Sequence, residues 1–449
     1  MSFPSRLLFA LPTLALASIL APESDAAACG GVFAVASENT EVASHRMALS
    51  ISQAQSTLWD EIQYTGAPSS FAWILPIQGA VTVGVSSDAL FAELDQLTAV
   101  TVSAPFVPCA SCNAQGTGGG SGTGGGTGPV TVVSQAVVGP YQTVQLSSTD
   151  PTALTTWLTT SGYAIPSAMA PVLAAYVAGG FDFLALKLVP GVAVTAMQPV
   201  RVTTPGASPA LPLRMVAAGT GATVPITLFV LGEGRYEPTN FPTFTIPAAG
   251  LVWDFGTSTS NYAELRTAGF AASGNEGWLL ESAGPVSQQR ITADIDLAVQ
   301  ASPLTSGYAD SMGNGAPAAA MADLDTLFTG IDPNSFWITR LLAELPHADL
   351  TTDLTLGAAA NQAPIPNLLV APQTIDAPVC SCGSTTGAGG AGGAGVTSSA
   401  SGAGGAGGGG QDSSSCAAGG TASAPFGLGG VLAALGLALA AARRKALRG

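Results

Sequence analysis

Apolar residues recur with the two-residue period of β-strands through much of the chain. Met47-Ala48-Leu49-Ser50-Ile51, Phe71 to Leu75, Val81-Thr82-Val83, Val130 to Val138 and Val192-Ala193-Val194 read as strands. Pro225 to Leu231 is a continuous apolar run, as expected of a central strand buried on both faces. Thr243-Phe244-Thr245-Ile246 follows it after a turn. Helical spacing interrupts these strands. Ser87 is expected to cap a helix in which Leu90, Phe91, Leu94 and Leu97 share one face. Asp150-Pro151 and Asp332-Pro333 each place an N-cap before a proline at the first helical position. The second pair predicts a helix through Phe336, Leu341, Leu342 and Leu345, stopped by Pro346. A further helix, Ser167 to Val177, should close at Gly179-Gly180. Strands and helices do not alternate regularly, which argues against parallel βαβ layering. An α+β fold, mostly antiparallel sheet with several short helices, is predicted.

The two ends of the chain follow other rules. Arg6, the apolar stretch Leu7 to Leu20 and Ala26-Ala27-Ala28 outline a secretory signal peptide over residues 1–28. The stretch is short and broken by Pro12, which argues against a transmembrane helix. Ala26 stands three positions before Cys29, and Glu23 and Asp25 separate the apolar core from the cleavage site, so ordinary cleavage after Ala28 is favoured over acylation of Cys29. At the other end, residues 383–415 are almost pure Gly, Ala, Ser and Thr, a composition that cannot bury enough apolar area to order itself. Such a coil reaches about 30 Å on average, enough to lift a domain off a membrane. Cys416 follows, then the apolar run 426–442, then Arg443, Arg444, Lys445 and Arg448. The run has no polar face at helical spacing and lies at the short limit of a bilayer span, with the basic bias that holds a segment's end in the cytoplasm. A single-pass membrane segment is expected, and residues 29–379 form the exported domain.

This tail resembles the myxobacterial C-terminal sorting tag, in which a cysteine precedes a transmembrane helix and an Arg-rich end. The resemblance rests on Cys416, the 426–442 helix and Arg443-Arg444-Lys445. It implies processing at the cysteine by a sorting machinery and display on the cell surface. That family often has glycine before the cysteine, where Ser415 stands here.

Charge narrows the partners. Of 13 Lys and Arg, five lie in the terminal segments, leaving eight against 26 acidic residues between Cys29 and Ser415, a net of −18. Nucleic acid and anionic membrane surfaces are disfavoured as partners. Solubility accounts for the acidity in its plainest reading, and weak divalent-cation binding is the sharper one. Export places the six cysteines in an oxidising compartment, so Cys29, Cys109, Cys112, Cys380 and Cys382 are disulfide candidates, with Cys416 assigned to the tail. Cys109 and Cys112 have zinc-ligand or redox spacing, but the glycine-rich stretch 116–128 follows where a redox motif needs a helix. A bond from this pair to Cys380 or Cys382 would clip the glycine-rich region to the end of the domain. That glycine-rich stretch is expected to be a surface loop, without the lysine and helix of a phosphate cradle.

Catalytic signals are sparse. The two histidines, His45 and His347, have no Gly-x-Ser-x-Gly elbow to serve. His347 is expected at a helix end and His45 exposed at a strand start. Asp294-Ile295-Asp296 and Asp323-Leu324-Asp325 lack the glycine and distal glutamate of an EF-hand, and Asp310 to Gly315 is turn-like. Solvated faces and helix caps are the expected roles of these carboxylates. Trp59, Trp73, Trp157, Trp253, Trp278 and Trp337 are read as core anchors. No catalytic, cofactor-binding or metal-binding residue is assigned, and no cofactor is expected.

Several short motifs are shared with one bacterial family. They are Cys29-Gly30-Gly31-Val32-Phe33, Gln63-Tyr64 through Gly66, Phe71-Ala72-Trp73-Ile74-Leu75-Pro76, Leu90-Phe91 with Leu94-Asp95-Gln96-Leu97-Thr98, and Leu211-Pro212-Leu213-Arg214 leading to Gly232-Glu233-Gly234-Arg235-Tyr236. Over about Cys29 to Ala377 the chain resembles the family called domain of unknown function 2330. That resemblance implies export and surface display and carries over no catalytic residue. The expected function is an envelope-anchored structural, adhesion or binding module. The alternative is a secreted hydrolase, or another enzyme, using carboxylates.

Overall fold

The computed structural model describes residues 30–34, 41–65, 71–106, 136–138, 141–146, 150–188, 198–301 and 315–377. The signal peptide, the six cysteines, the 116–128 stretch, the 383–415 tether and the 416–449 tail lie outside the described residues, as do Val192 to Val194 and Asp310 to Asn314.

An eight-stranded sheet organises the chain. Its strands are β1 (Glu41–Ile51), β2 (Gln55–Thr65), β3 (Thr82–Val85), β4 (Val200–Pro205), β5 (Thr223–Glu233), β6 (Thr243–Phe244), β7 (Trp278–Pro285) and β8 (Phe336–Pro346), in the spatial order β6-β7-β8-β5-β1-β2-β4-β3. β5 runs parallel to β1 and β6 parallel to β7, and the other neighbours are antiparallel. The apolar run at Pro225 to Leu231 is the middle of β5, between β8 and β1. A second, wholly antiparallel sheet has the order Gly31–Ala34, Phe71–Ile77, Asp182–Leu188, Tyr141–Leu146, Ala136–Val138.

Strand alternation divides the main sheet into two faces. Met47, Leu49, Leu58, Ile62, Ile226, Leu228 and Leu341 point to one face and share a core with Trp73, Tyr141, Phe183 and Leu186 of the second sheet. Ala48, Trp59, Phe229, Leu231, Phe336 and Ile338 point to the other. There they meet the apolar stripes of three helices, α1 (Asp88–Thr98), α2 (Gln288–Ala301) and α3 (Gly315–Leu327). The result is sheet, sheet and helix layers, an α+β architecture. Each large aliphatic or Phe side chain buried in these cores contributes roughly 1.5–3 kcal/mol. The glycines of the Cys29-Gly30-Gly31 opening sit where backbone is pressed against neighbours. A Cβ on Gly30 would collide with the Trp73 ring, and one on Gly31 with the Met215 carbonyl.

One local expectation is corrected. The segment after Asp332-Pro333 is not a helix but β8, whose burial alternates along Phe336, Ile338, Leu341, Ala343 and Leu345. Asp332 instead accepts from the Asn334 backbone N–H at 2.9 Å and closes a turn. The Asp294 pair lies on α2. The last described segment, near Leu368 to Ile375, is held by pairing rather than by its large side chains. Leu368–Val370 runs parallel to Thr101–Ser103, and Gln373–Ile375 parallel to Val252–Asp254, while Leu368 is 72% and Val370 57% exposed. By contrast, Asp150 caps Pro151–Thr160 through the Thr152 N–H at 2.8 Å, and Met169–Ala178 ends at Gly179, followed by Gly180 at φ +77°.

Candidate functional site

On the helix-bearing face, α1 to α3 cover the sheet only in part. Where they stop, a cleft of about 430 Å³ opens over four adjacent strands. Its floor comes from Gln63 on β2, Ser44 and Arg46 on β1, Pro225 and Thr227 on β5, and Arg340, Leu342 and Glu344 on β8, with Asp95 of α1 and Arg266 of the Tyr262–Ala272 helix at its walls. Register brings these residues together. Glu61, Arg46, Thr227 and Leu342 are successive cross-strand neighbours, as are Gln63 with Ser44 and Pro225 with Glu344.

A chain of charge-assisted hydrogen bonds runs along the cleft. Tyr262 donates to Glu281 at 2.9 Å. Arg340 donates to Glu281 through Nε and to Asp95 through Nη1, both at 2.5 Å. Arg46 donates to the other oxygen of Asp95 at 2.6 Å and to Glu61 at 2.9 Å. Each guanidinium also lies over a core ring, Arg46 5.1 Å from the Phe91 centroid and Arg340 5.2 Å from that of Phe229. The donors are thus fixed in place on the border of the dry core. Burial pushes the Glu61 carboxyl up to about 7 against the pull of Arg46. Tyr262 is raised by burial and by Glu281 beside it.

Arg266 differs from its neighbours. The described residues include seven arginines, and Arg46, Arg201, Arg214, Arg235, Arg290 and Arg340 each pair with a carboxylate. Arg266 does not, and its Nε is shielded from water without a hydrogen-bond acceptor.

A second polar cluster is closed to solvent. Asp323 of α3 is wholly buried and accepts from Trp59 Nε1 at 2.8 Å, Arg201 Nη1 at 2.6 Å, Ser86 Oγ at 2.7 Å and the Ser87 N–H at 3.2 Å. Burial raises its pKa, opposed by Arg201 and the neutral donors. The expectation of a solvated carboxylate is overturned here, whereas Ser87 is the N-cap residue of α1 as expected. Its hydroxyl caps nothing, and Asp323 receives the Ser87 N–H at the start of α1 instead. Glu93 on α1 is also buried, and burial with Asp294 beside it pushes its carboxyl up to about 7.

The histidines differ from expectation as well. His45 is 1% exposed and faces the sheet–sheet core, with Nδ1 3.5 Å from Asp60 Oδ1. Its Nε2 has no hydroxyl partner, so the pair lacks the nucleophile of a hydrolytic triad. No helix precedes His347. It follows β8, with Nδ1 3.2 Å from Thr220 Oγ1. Of the tryptophans, Trp59, Trp73 and Trp278 are fully buried core anchors, and Trp157, Trp253 and Trp337 are partly exposed. Arg214 of the Leu211 to Arg214 motif donates through Nε to Asp353 at 3.0 Å and stacks 4.3 Å from the Tyr176 centroid, a structural role. Among the described residues no group of three His, Cys, Asp or Glu is placed to hold a metal ion, and no helix is long and apolar enough to cross a membrane.

Arg46, Asp95, Gln63 and Arg340 were not singled out by sequence reasoning, although Gln63 and Asp95 fall inside shared motifs. Arg266 carries no sequence signal at all. The structure defines a layered α+β protein with an arginine-lined cleft on its main sheet. The chain belongs to the bacterial family described as "Uncharacterized protein conserved in bacteria (DUF2330)", which matches residues 23–353. No curated protein matches it in sequence. Among solved structures, baculovirus P35 is similar at 11% identity and a TM-score of 0.28, over 45% of this chain and 68% of that one, too slight a likeness to assign a shared fold.

Proposed function

We propose that the folded region is a binding module exported from the cell and held at its surface by its C-terminal segment, with the cleft as its recognition surface. The signal peptide at 1–28, the 383–415 tether, Cys416, the 426–442 apolar run and Arg443-Arg444-Lys445 support display. One observation carries the binding role. The charged groups of the cleft are locked by one another, with Asp95 between Arg46 and Arg340, while Arg266 faces the space unpaired. Rigid donors around an unmet cation suit recognition. Carboxylate catalysis would need two carboxyls converging on the cleft, one of them holding a proton. Glu61, the carboxyl nearest to that state, is buried beside Arg46 and does not line the cleft.

Fractionation of cells tests the display. Cys416→Ala, or deletion of 426–449, is expected to move the protein from the surface to the medium or leave it unsorted. Full surface retention in both variants overturns the anchoring.

A further inference from the structure

We infer that the cleft binds a small sugar acid, a uronic acid whose carboxylate is taken by Arg266 and whose hydroxyls meet the opposite wall. This rests on the cleft being the recognition surface of the displayed module. Arg266 lines the cleft, its Nε is shielded from water, and its Nη groups, which are not shielded, are the donors it offers to a ligand carboxylate. Among the described residues no carboxylate pairs with it. Asp95 is already shared between Arg46 and Arg340.

Charge counting limits the ligand to one negative group. Arg46 and Arg340 are already met by Asp95, Glu61 and Glu281, so Arg266 is the one arginine of the lining without a counter-charge among the described residues. A single carboxylate supplies it, whereas a phosphate dianion would overshoot. The acidic balance of the whole chain, a formal −15, also opposes polyanions, so the ligand is small.

The far wall is built for hydroxyls. Ser44 donates to Gln63 Oε1 at 3.0 Å, which leaves the Gln63 amide N–H groups free to donate to a ligand. Thr227 on β5 and Glu344 on β8, on the floor away from Gln63, add a hydroxyl and an acceptor, and Glu344 has no ion pair among the described residues. Pro225 and Leu342 supply an apolar strip between the two walls, suited to the C–H face of a pyranose. The volume of about 430 Å³ falls in the range of small-molecule sites, roughly 300–1,000 Å³.

Isothermal titration of the full-length chain in detergent tests this with three probes, galacturonate, its methyl ester and acetate. Galacturonate is expected to bind saturably, and the ester, which removes only the charge, at least tenfold more weakly. Acetate, which removes only the hydroxyls, should also bind at least tenfold more weakly. Arg266→Gln should reduce galacturonate affinity at least tenfold, and Gln63→Ala should weaken galacturonate while leaving acetate unchanged. Unfolding midpoints check that both variants fold, and if one does not, the comparison of the three probes on the natural chain decides. No saturable heat with galacturonate overturns the inference, as does equal affinity for the ester or for acetate. Unchanged affinity in folded Arg266→Gln overturns the assignment of the carboxylate. Surface display is read by fractionation, so either conclusion can fail while the other stands.

Discussion

Asp323→Asn removes the charge from a wholly buried carboxylate without changing its volume. In the folded state this carboxylate takes hydrogen bonds from Trp59, Arg201, Ser86 and the Ser87 N–H. An asparagine has one acceptor oxygen for four donors, and its amide N–H groups must point at groups that themselves donate. Arg201, 13% exposed, is left without its counter-charge. Removing one partner of a buried ion pair costs about 3–5 kcal/mol. For a domain of about 350 residues, each kcal/mol lowers the melting temperature by about 1.4 °C, so a fall of roughly 4–7 °C is expected. Urea unfolding at pH 7, followed by tryptophan fluorescence, measures the loss, and Trp59 reports from the site. The double variant Asp323→Asn with Arg201→Met should recover part of that loss, because no guanidinium then remains unpaired. A cost below about 1 kcal/mol for Asp323→Asn refutes the role of this cluster as a structural hub. So does strict additivity of the two substitutions, since groups 2.6 Å apart cannot act independently if the pair matters.

Two further outcomes follow from burial. Glu93 holds its proton up to about pH 7 when folded but titrates near 4.5 when unfolded, so its contribution to stability is full below about pH 4.5 and is lost as pH rises to 7. Glu93→Gln should therefore stabilise the fold by on the order of 1–3 kcal/mol at pH 8 and by little at pH 4.5, read from urea midpoints, and an equal effect at both pH values would contradict this. Truncation after Gly383 should leave the melting temperature unchanged. Truncation before Leu368 should cost about 1–3 kcal/mol, because it removes two parallel pairings and the buried Ala371 but leaves little apolar area of Leu368 and Val370 to lose. A harmless second truncation would place the end of the folded unit earlier.

The strands were the legible part of the fold, because two-residue alternation and the apolar run of β5 state burial directly. β8 was misread because Asp332-Pro333 satisfies helix-start chemistry, while the alternation that follows it, interrupted by Leu341-Leu342, looks helical at a glance. Tertiary pairing with β5 and β7 decided the outcome. His45 was misplaced for a related reason. Two residues before Met47 and four before Leu49, it shares their buried face, and strand parity outweighs the polarity of its neighbours. Asp323 was legible in principle, since it falls within the apolar stripe of Ala319, Ala320, Leu324 and Leu327. A carboxylate inside such a stripe marks a buried pair more often than a solvated face. The cleft was not legible. Its members come from four strands and two helices, and only the sheet order brings Arg46, Arg266 and Arg340 together.

The position of the cleft follows from a mismatch of lengths. β1, β2, β5 and β8 each have 11 residues, about 36 Å of extended chain, whereas α1, also of 11 residues, spans only about 16 Å. The helices therefore dry the part of the sheet around Ala48, Trp59, Phe229 and Ile338 and leave the next rows to water. Along that border the side chain must be apolar on one flank and wet at its tip. Arg46 and Arg340 meet both demands, with their guanidinium planes over Phe91 and Phe229 and their N–H groups on Asp95, Glu61 and Glu281. Lysine could not replace them, because a single ammonium cannot bridge two carboxylates in fixed directions while lying flat on a ring. The network thus seals the edge of the core first and, by spending the local carboxylates on that task, leaves Arg266 as the cation available to a ligand.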